Sequence, residues 1–326
     1  MKKKHRNLIV IFVFITGVSI PFLFGHTKLS TNSSIATEKE ISSYRVYSVD
    51  VPDKAEFAGQ TIDLSRYDLR ERMDRELMAF TYMHSNTMLM IKRANRYFPI
   101  VEPILKENGV PDDFKYLMVI ESNLNIEAHS SAGAVGLWQF MPATGKEFGL
   151  EINNNIDERY HIMKATRAAC NYFKDSYAKY GDWLAAAAAY NGGQTRITTE
   201  LQRQKASAAV DLRLAEETSR YMFRLMAAKL VFSNPKSFGF IIKKEHLYPP
   251  FSYEEVKVSE SIADLADFAK TKSITYAQLK DANPWLRDFS LENKSQRTYI
   301  LNIPTRRSIN YNPEKTIPHD KRWVID

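Results

Sequence analysis

A single cysteine, Cys170, stands in a chain of 326 residues. No internal disulfide can form, so any exported part must be held by its core alone. A lipid anchor on a cysteine just after an apolar leader is excluded too, since Cys170 lies far from the N-terminus. Glycine is sparse at 12 residues and forms neither a Walker loop nor a G-x-G-x-x-G stretch, and His and Cys do not fall at zinc-site spacings. These absences argue against nucleotide and metal chemistry, and no cofactor or metal is expected. Neither sign of charge dominates: 45 basic against 38 acidic residues leave a net +7, spread along the chain except for a cluster at its N-terminus. Such mild basicity favours an anionic partner only weakly: it could meet a cell-wall polymer, a membrane or nucleic acid, or simply keep the protein soluble, although nucleic acid is not among the partners expected. With 44% apolar residues the composition is globular, and the length has room for two domains.

What is present begins at residue 1. "MKKKHRNLIVIFVFITGVSIPFLFG" places Lys2 to Arg6 ahead of an apolar run of about 18 residues ending at Gly25. Residues 1–25 therefore read as a signal peptide or a retained membrane anchor. The lack of an A-x-A cleavage site favours retention, and the positive-inside bias puts everything after His26 across the membrane. Residues 26–62, rich in Ser and Thr and without helical periodicity, read as a linker.

From residue 63 to 240 the pattern is mostly helical. A periodic segment over Leu64–Tyr97 ends or kinks at Pro99, and a second helix stops near Gly109. A third starts at Pro111, with Asp112 and Asp113 in its first turn as helix-capping acids. Further helices are expected over Met163–Tyr180, Trp183–Tyr190 and Ala215–Phe232. The alanine run Ala185 to Ala189 is helix that lets its neighbours pack closely. Residues 241–305 change texture: a strand, two short helices, a turn at Asn283-Pro284 and the strand "TYILNIP" make a small α+β module. No clear structure is expected for 306–326.

The third helix poses the chemical question. Phe114, Leu117 and Met118 precede Glu121 by seven, four and three positions, so a carboxylate ends an apolar stripe. A small-residue loop follows, in which Gly133 and Gly136 suggest close approach of the backbone to something. A carboxyl group against apolar neighbours has its charged form disfavoured, stays protonated near neutrality and can donate to a departing glycosidic oxygen. Taken alone, each neighbouring feature has a plainer reading: Tyr190-Asn191-Gly192-Gly193 as a helix stop, Trp138 and Phe140 as core, His129 as a solvated loop residue.

Together they carry a resemblance. "ESNLNIEAHSSAGAVGLWQFMPATG" from Glu121, "DWLAAAAAYNGGQTRI" from Asp182 and "EETSRYMFRLMAAK" from Glu216 resemble, in order, the three motifs of the soluble lytic transglycosylase family, glycoside hydrolase family 23, in its membrane-bound lytic transglycosylase D group. The resemblance covers roughly residues 66 to 240. It implies a mainly α chain with a lysozyme-like, goose-type helical catalytic domain. It further implies Glu121 as the acid and then the base, with Ser130, Gln139, Met141, Tyr190, Asn191 and Tyr221 binding substrate. Ser130 would orient the carboxyl group or the sugar, Gln139 and Met141 would line the groove, Tyr190 would hydrogen-bond near the acid, Asn191 would shape the saccharide site, and Tyr221 would support the groove. Ile126, Ser131 and the proline-free "NGGQTR" depart from the family pattern in its loops.

The implied reaction cleaves the bond between N-acetylmuramic acid and N-acetylglucosamine in peptidoglycan without water: the muramoyl C6 hydroxyl attacks C1 and leaves a 1,6-anhydro end. The absence of an obvious second carboxylate agrees with that, because hydrolytic glycosidases ordinarily use two. The C-terminal module resembles a LysM domain, with "LKDANPWL" at its turn and "YILNIP" as its closing strand, and this implies binding to glycan strands. The expected location is the periplasm at the inner membrane, with secretion after signal cleavage as the alternative. A hydrolytic goose-type muramidase and a non-catalytic peptidoglycan-binding scaffold remain as rival functions.

Overall fold

The computed structural model describes residues 46–310 and 312–325. The apolar segment 1–25 and most of the expected linker lie outside the described residues. Among the described residues, no helix is long and apolar enough to cross a membrane.

The end of the expected linker is structured. Strand β1 (Lys54–Phe57) pairs antiparallel with β2 (Gln60–Asp63) around a two-residue turn at Ala58-Gly59, both with positive φ, the backbone geometry that matches strand twist. Alternation puts Ala55 and Phe57 into the core, Phe57 completely. Four residues of alternation closed by Ala-Gly is too short a signal to separate from a polar linker.

Helix α1 (Tyr67–Tyr82) and helix α2 (His84–Glu107) follow. The break falls at Met83 and not at Pro99, as expected from sequence; α2 runs through both Pro99 and Pro103. An interior proline costs about 3 kcal/mol. Here the buried Phe98, Val101, Ile104 and Leu105 on the same helix outweigh it, while Pro103 faces solvent. At the break, the Thr87 hydroxyl donates to the Phe80 carbonyl at 2.6 Å, satisfying a group the interrupted helix frees.

Asp112 and Asp113 lie in the first helical turn as expected, but that turn is 3-10, Asp112–Phe114, before α3 (Lys115–Ser122). Asp112 pairs with Lys115, and Asp113 accepts from the Ala58 N–H and from Lys229, tying the N-terminal hairpin to a distant helix. Helices α4 (Pro142–Glu147), α5 (Ile162–Tyr180), α6 (Trp183–Gly192) and α7 (Gln194–Gln204) come next, then α8 (Glu216–Ser233). Ala185 to Ala189 are all buried, and α6 packs against α5, α7 and α8. Small side chains let four helices meet there. Helix α8, which also packs on α1 and α3, passes through the middle of the core.

The C-terminal module has the expected order. Strand β3 (Tyr253–Val258) pairs antiparallel with β4 (Tyr299–Pro304), Val256 opposite Leu301, and α9 (Leu265–Thr271) and α10 (Tyr276–Ala282) lie between them in sequence. Asp264 caps α9, and Thr275 with Gln278 forms a capping box on α10. The buried Asn283 side chain bonds to the Leu279 and Asn302 carbonyls and the Asn302 N–H, so the turn and the closing strand lock together. The stretch from residue 306 was expected to lack structure; it contains helix α11 (Arg306–Ile309) and two 3-10 turns, and its Trp323 and Val324 enter the main core. From Ser48 onwards the chain forms one unit.

Candidate active site

Helix α3 ends at Ser122, one residue past Glu121. Asn123 and Leu124 both take the left-handed conformation, and the Leu124 N–H reaches back to the Met118 carbonyl. Leu124 is buried without remainder, and that packing holds a leucine where glycine is usual. Arg93 from α2 donates to the Asn123 carbonyl at 3.0 Å, fixing the helix end from outside. Glu121 is thereby presented, partly buried, in the last turn.

Its carboxyl faces α8. The Tyr221 hydroxyl donates to Glu121 Oε1 at 2.7 Å. Burial pushes the Glu121 pKa up to about 7; the Tyr221 bond and the nearby Arg224 pull it back, and Glu217 adds a push upwards. Arg224 is itself held by donating to the Ile120 carbonyl. The Tyr221 and Tyr190 phenols, buried beside the Glu121 charge, are driven well above their usual range and stay protonated as donors.

The two tyrosine hydroxyls have different partners. Tyr221 holds the acid, while the Tyr190 hydroxyl donates to the Trp138 carbonyl at 2.7 Å and so ties α6 to the small-residue loop. Trp138 and Phe140 are core residues, the Trp138 indole N–H donating to Thr166. Gln139, at φ 51°, spends its amide N–H groups on the Ala128 and Gly136 carbonyls, bracing the loop from within. Ser130 Oγ accepts the Ala134 N–H, closing a turn of the same loop. Met141 is 42% exposed just ahead of α4, an apolar side chain open to a ligand. Asn191 sits partly buried in the last turn of α6.

Close approach of the backbone holds for one of the two glycines. A Cβ on Gly136 would lie 2.2 Å from the Arg159 carbonyl oxygen, whereas one on Gly133 would meet nothing and only the positive φ calls for glycine. The partner, Arg159, was missed by sequence reasoning. It forms a buried fork with Asp157 and donates to the Gly133 and Phe140 carbonyls. Only the pattern Asp-x-Arg marks it in sequence, and that pattern is commonplace. Glu217 was also passed over, although it precedes Tyr221 by four positions and so shares its helix face.

Among the described residues no cluster of His, Cys, Asp or Glu could hold a metal ion. Cys170 is buried, which raises its thiol to about 11 and leaves it inert.

Comparison with known proteins places two families on this frame. Residues 98–212 match the transglycosylase SLT domain, and residues 254–307 match the soluble lytic transglycosylase C-terminal LysM-like domain. The membrane-bound lytic murein transglycosylase D of Escherichia coli (strain K12) is 28% identical over 245 residues, which are 74% of this chain and 52% of that protein. A protein of Alteromonas sp. (strain M-1) named for tributyltin chloride resistance is 29% identical over 56% of this chain and 84% of its own length. The peptidoglycan transglycosylase gp16 of Escherichia phage T7 is 33% identical over 36% of this chain and 9% of its own. The chain spans about half the length of the E. coli relative. Glu121, the loop after it and the alanine helix all fall inside the first match, and the strand–helix–helix–strand unit fills the second: the chain carries a transglycosylase SLT domain followed by a LysM-like domain of the soluble lytic transglycosylase type.

Proposed function

We propose that this chain is a peptidoglycan lytic transglycosylase, cleaving the bond between N-acetylmuramic acid and N-acetylglucosamine to leave 1,6-anhydromuramoyl ends. One observation carries the reading: the Glu121 carboxyl group is held near pKa 7 by burial and gripped at 2.7 Å by Tyr221. Protonated, it donates to the departing glycosidic oxygen; ionised, it takes the proton of the muramoyl C6 hydroxyl as that oxygen attacks C1. One group serves in both steps because a pKa near neutrality makes both forms accessible. The SLT relatives that bear transglycosylase names support the same chemistry. Ser130, Gln139, Met141, Tyr190 and Asn191 are proposed to border the glycan, Gln139 and Tyr190 mainly by fixing the loop. The proposed catalytic unit is 63–240, and the module 241–305 is proposed to add contacts to the glycan strand.

Muropeptide masses test this. Purified protein incubated with peptidoglycan is expected to release products one water lighter than hydrolysis products, and Glu121→Gln none. Glu217 favours a second reading, hydrolysis, because its charge reaches Glu121 from the same face of α8 as Tyr221. Reducing ends that vanish in Glu217→Gln would establish it, and binding without release would establish a scaffold.

Residues 1–25 are proposed to export the chain to the periplasm and to hold it at the inner membrane. Recovery of the intact N-terminal mass in the membrane fraction is expected; a shortened N-terminus in the soluble fraction would mean cleavage and secretion.

A further inference from the structure

The LysM-like module is joined to the catalytic domain by more than chain continuity. Val135, Ile156 and Tyr160 of the SLT match pack into the same apolar core as Leu265, Trp285, Leu286 and Leu301 of the module. Backbone bonds cross the seam: the Asp157 N–H donates to the Trp285 carbonyl at 2.9 Å and the Arg287 N–H to the Asn155 carbonyl at 2.8 Å. The Asn155 side chain donates to the Ser290 carbonyl and accepts the Glu292 N–H, both at 3.0 Å. The Trp285 ring stacks with His161 and with Tyr299, and the Arg287 guanidinium lies 4.2 Å over Tyr160.

From that seam the contacts run to the loop beside Glu121. Asp157, fixed through its N–H to the module, grips Arg159 by a two-pronged ion pair at 2.7 and 2.9 Å, with both side chains no more than a tenth exposed. The remaining Arg159 nitrogen donates to the Gly133 and Phe140 carbonyls at 2.9 and 3.0 Å, the two ends of the segment that contains Gln139. Between those ends, Gly136 rests on the Arg159 carbonyl and the Val135 side chain sits in the module's core. The same segment holds Trp138, whose carbonyl receives Tyr190 next to the acid. A module that only tethered the enzyme to the wall would need none of these bonds. A planar guanidinium spanning a carboxylate and two loop carbonyls is instead a rigid template.

We propose that the LysM-like module is a wall of the catalytic site: through Trp285, Asp157 and Arg159 it sets the position of residues 133–140, making Asp157 and Arg159 positioning residues for the reaction at Glu121. The inference rests on the transglycosylase reading above. Its consequence is that disturbing the module lowers turnover, and does so on a glycan too short to need a separate binding domain.

The test uses the full chain with Asp157→Asn, which keeps shape and removes the charge, and with Asn155→Ala, which loosens the seam from a partly exposed position. Amide exchange over residues 130–140 and kcat and KM on a soluble tetrasaccharide of the wall glycan are read together, with circular dichroism confirming folding. Faster exchange at Val135 and Gly136 is expected in both variants, with kcat lower by about tenfold to a hundredfold in Asp157→Asn and KM little changed. Unchanged exchange, or faster exchange with wild-type kcat, or a change confined to KM, overturns the proposal. Should Asp157→Asn fail to fold, Asn155→Ala decides by the same criteria. A wild type inactive on every glycan would sink the functional reading instead, and the exchange of the loop would still decide whether the module holds it.

Discussion

Two residues with displaced pKa values pull stability in opposite directions with pH. Glu121 is raised from its ordinary value of 4.5 to about 7, so the folded state holds its proton more tightly than the unfolded chain does. Its contribution is fully present below pH 4.5 and is lost as pH rises through 7. His161, stacked on Trp285, is lowered from 6.5 to about 4 by burial, with Lys164 and Arg167 opposing its charge. Its contribution is present above pH 6.5 and is lost as pH falls through 4. Each displacement corresponds to at most about 3–4 kcal/mol, and their windows overlap. The wild type therefore masks both. Glu121→Gln is expected to raise the thermal midpoint at pH 8 and to leave it nearly unchanged at pH 4, while His161→Phe is expected to raise it at pH 4 and not at pH 8. Thermal scans across pH check the pair. In the proposed reaction Glu121 starts protonated, so kcat/KM should fall as pH rises past about 7. Tyr221→Phe removes a bond that lowers the Glu121 pKa, so this fall should move to higher pH while kcat drops. A limb that stays in place would mean that Tyr221 does not act on the acid.

At the scale of elements, the site depends on how a helix ends and how a loop is pressed. Gly136 combines φ 78° with a carbonyl oxygen 2.2 Å from where a Cβ would stand, and the obstructing atom is backbone, which cannot rotate away. Gly136→Ala is expected to cost about 3 kcal/mol or more, whereas Gly133→Ala, with open space, should cost about 1 kcal/mol for its φ alone. Urea denaturation of the two variants measures the difference. The need for glycine at 136 was legible in the sequence, but its cause was not, because Arg159 lies 23 positions on and nothing local joins them. The apolar spacing of Phe114, Leu117 and Met118 ahead of Glu121 was legible, but not that α3 is buried on nearly every side, with Tyr116 to Ile120 all in the core. The α1–α2 break at Met83 was not, since no glycine or proline marks it and a buried threonine hydroxyl does the work. Pro99 misled for the converse reason: tertiary packing carried the helix through it. That the Tyr221 hydroxyl grips the acid directly was not legible, because motif order tells which residues gather and not which hydroxyl faces which acceptor.

Across the whole molecule, the chain's last residues close over its middle. Trp323 is 2% exposed, donates its indole N–H to the Phe232 carbonyl at the end of α8, and meets Phe98 and Phe232 edge-on. Around it, Asn95 of α2 donates to the Ile317 carbonyl and accepts the His319 N–H, His319 pairs with Glu102, and the Ile325 N–H donates to the Ile242 carbonyl. A polar, charge-rich stretch lacking periodicity gave no sign of this, since one buried tryptophan every few turns of irregular chain leaves no pattern to read. Trp323→Ala removes a large core side chain and a buried hydrogen bond, and is expected to destabilise by about 3–5 kcal/mol, a fall in the thermal midpoint on the order of 10 °C. Its effect on chemistry should be slight. Phe232 lies 11 residues beyond Tyr221 on the same helix, about 16 Å along the axis, and the loop beside Glu121 is held by Arg159. Activity at a temperature well below the variant's midpoint should match wild type, with loss appearing only as the midpoint is approached. A fall in kcat at low temperature would instead mean that the position of α8, and with it the Tyr221 grip on the acid, is set from the C-terminal stretch.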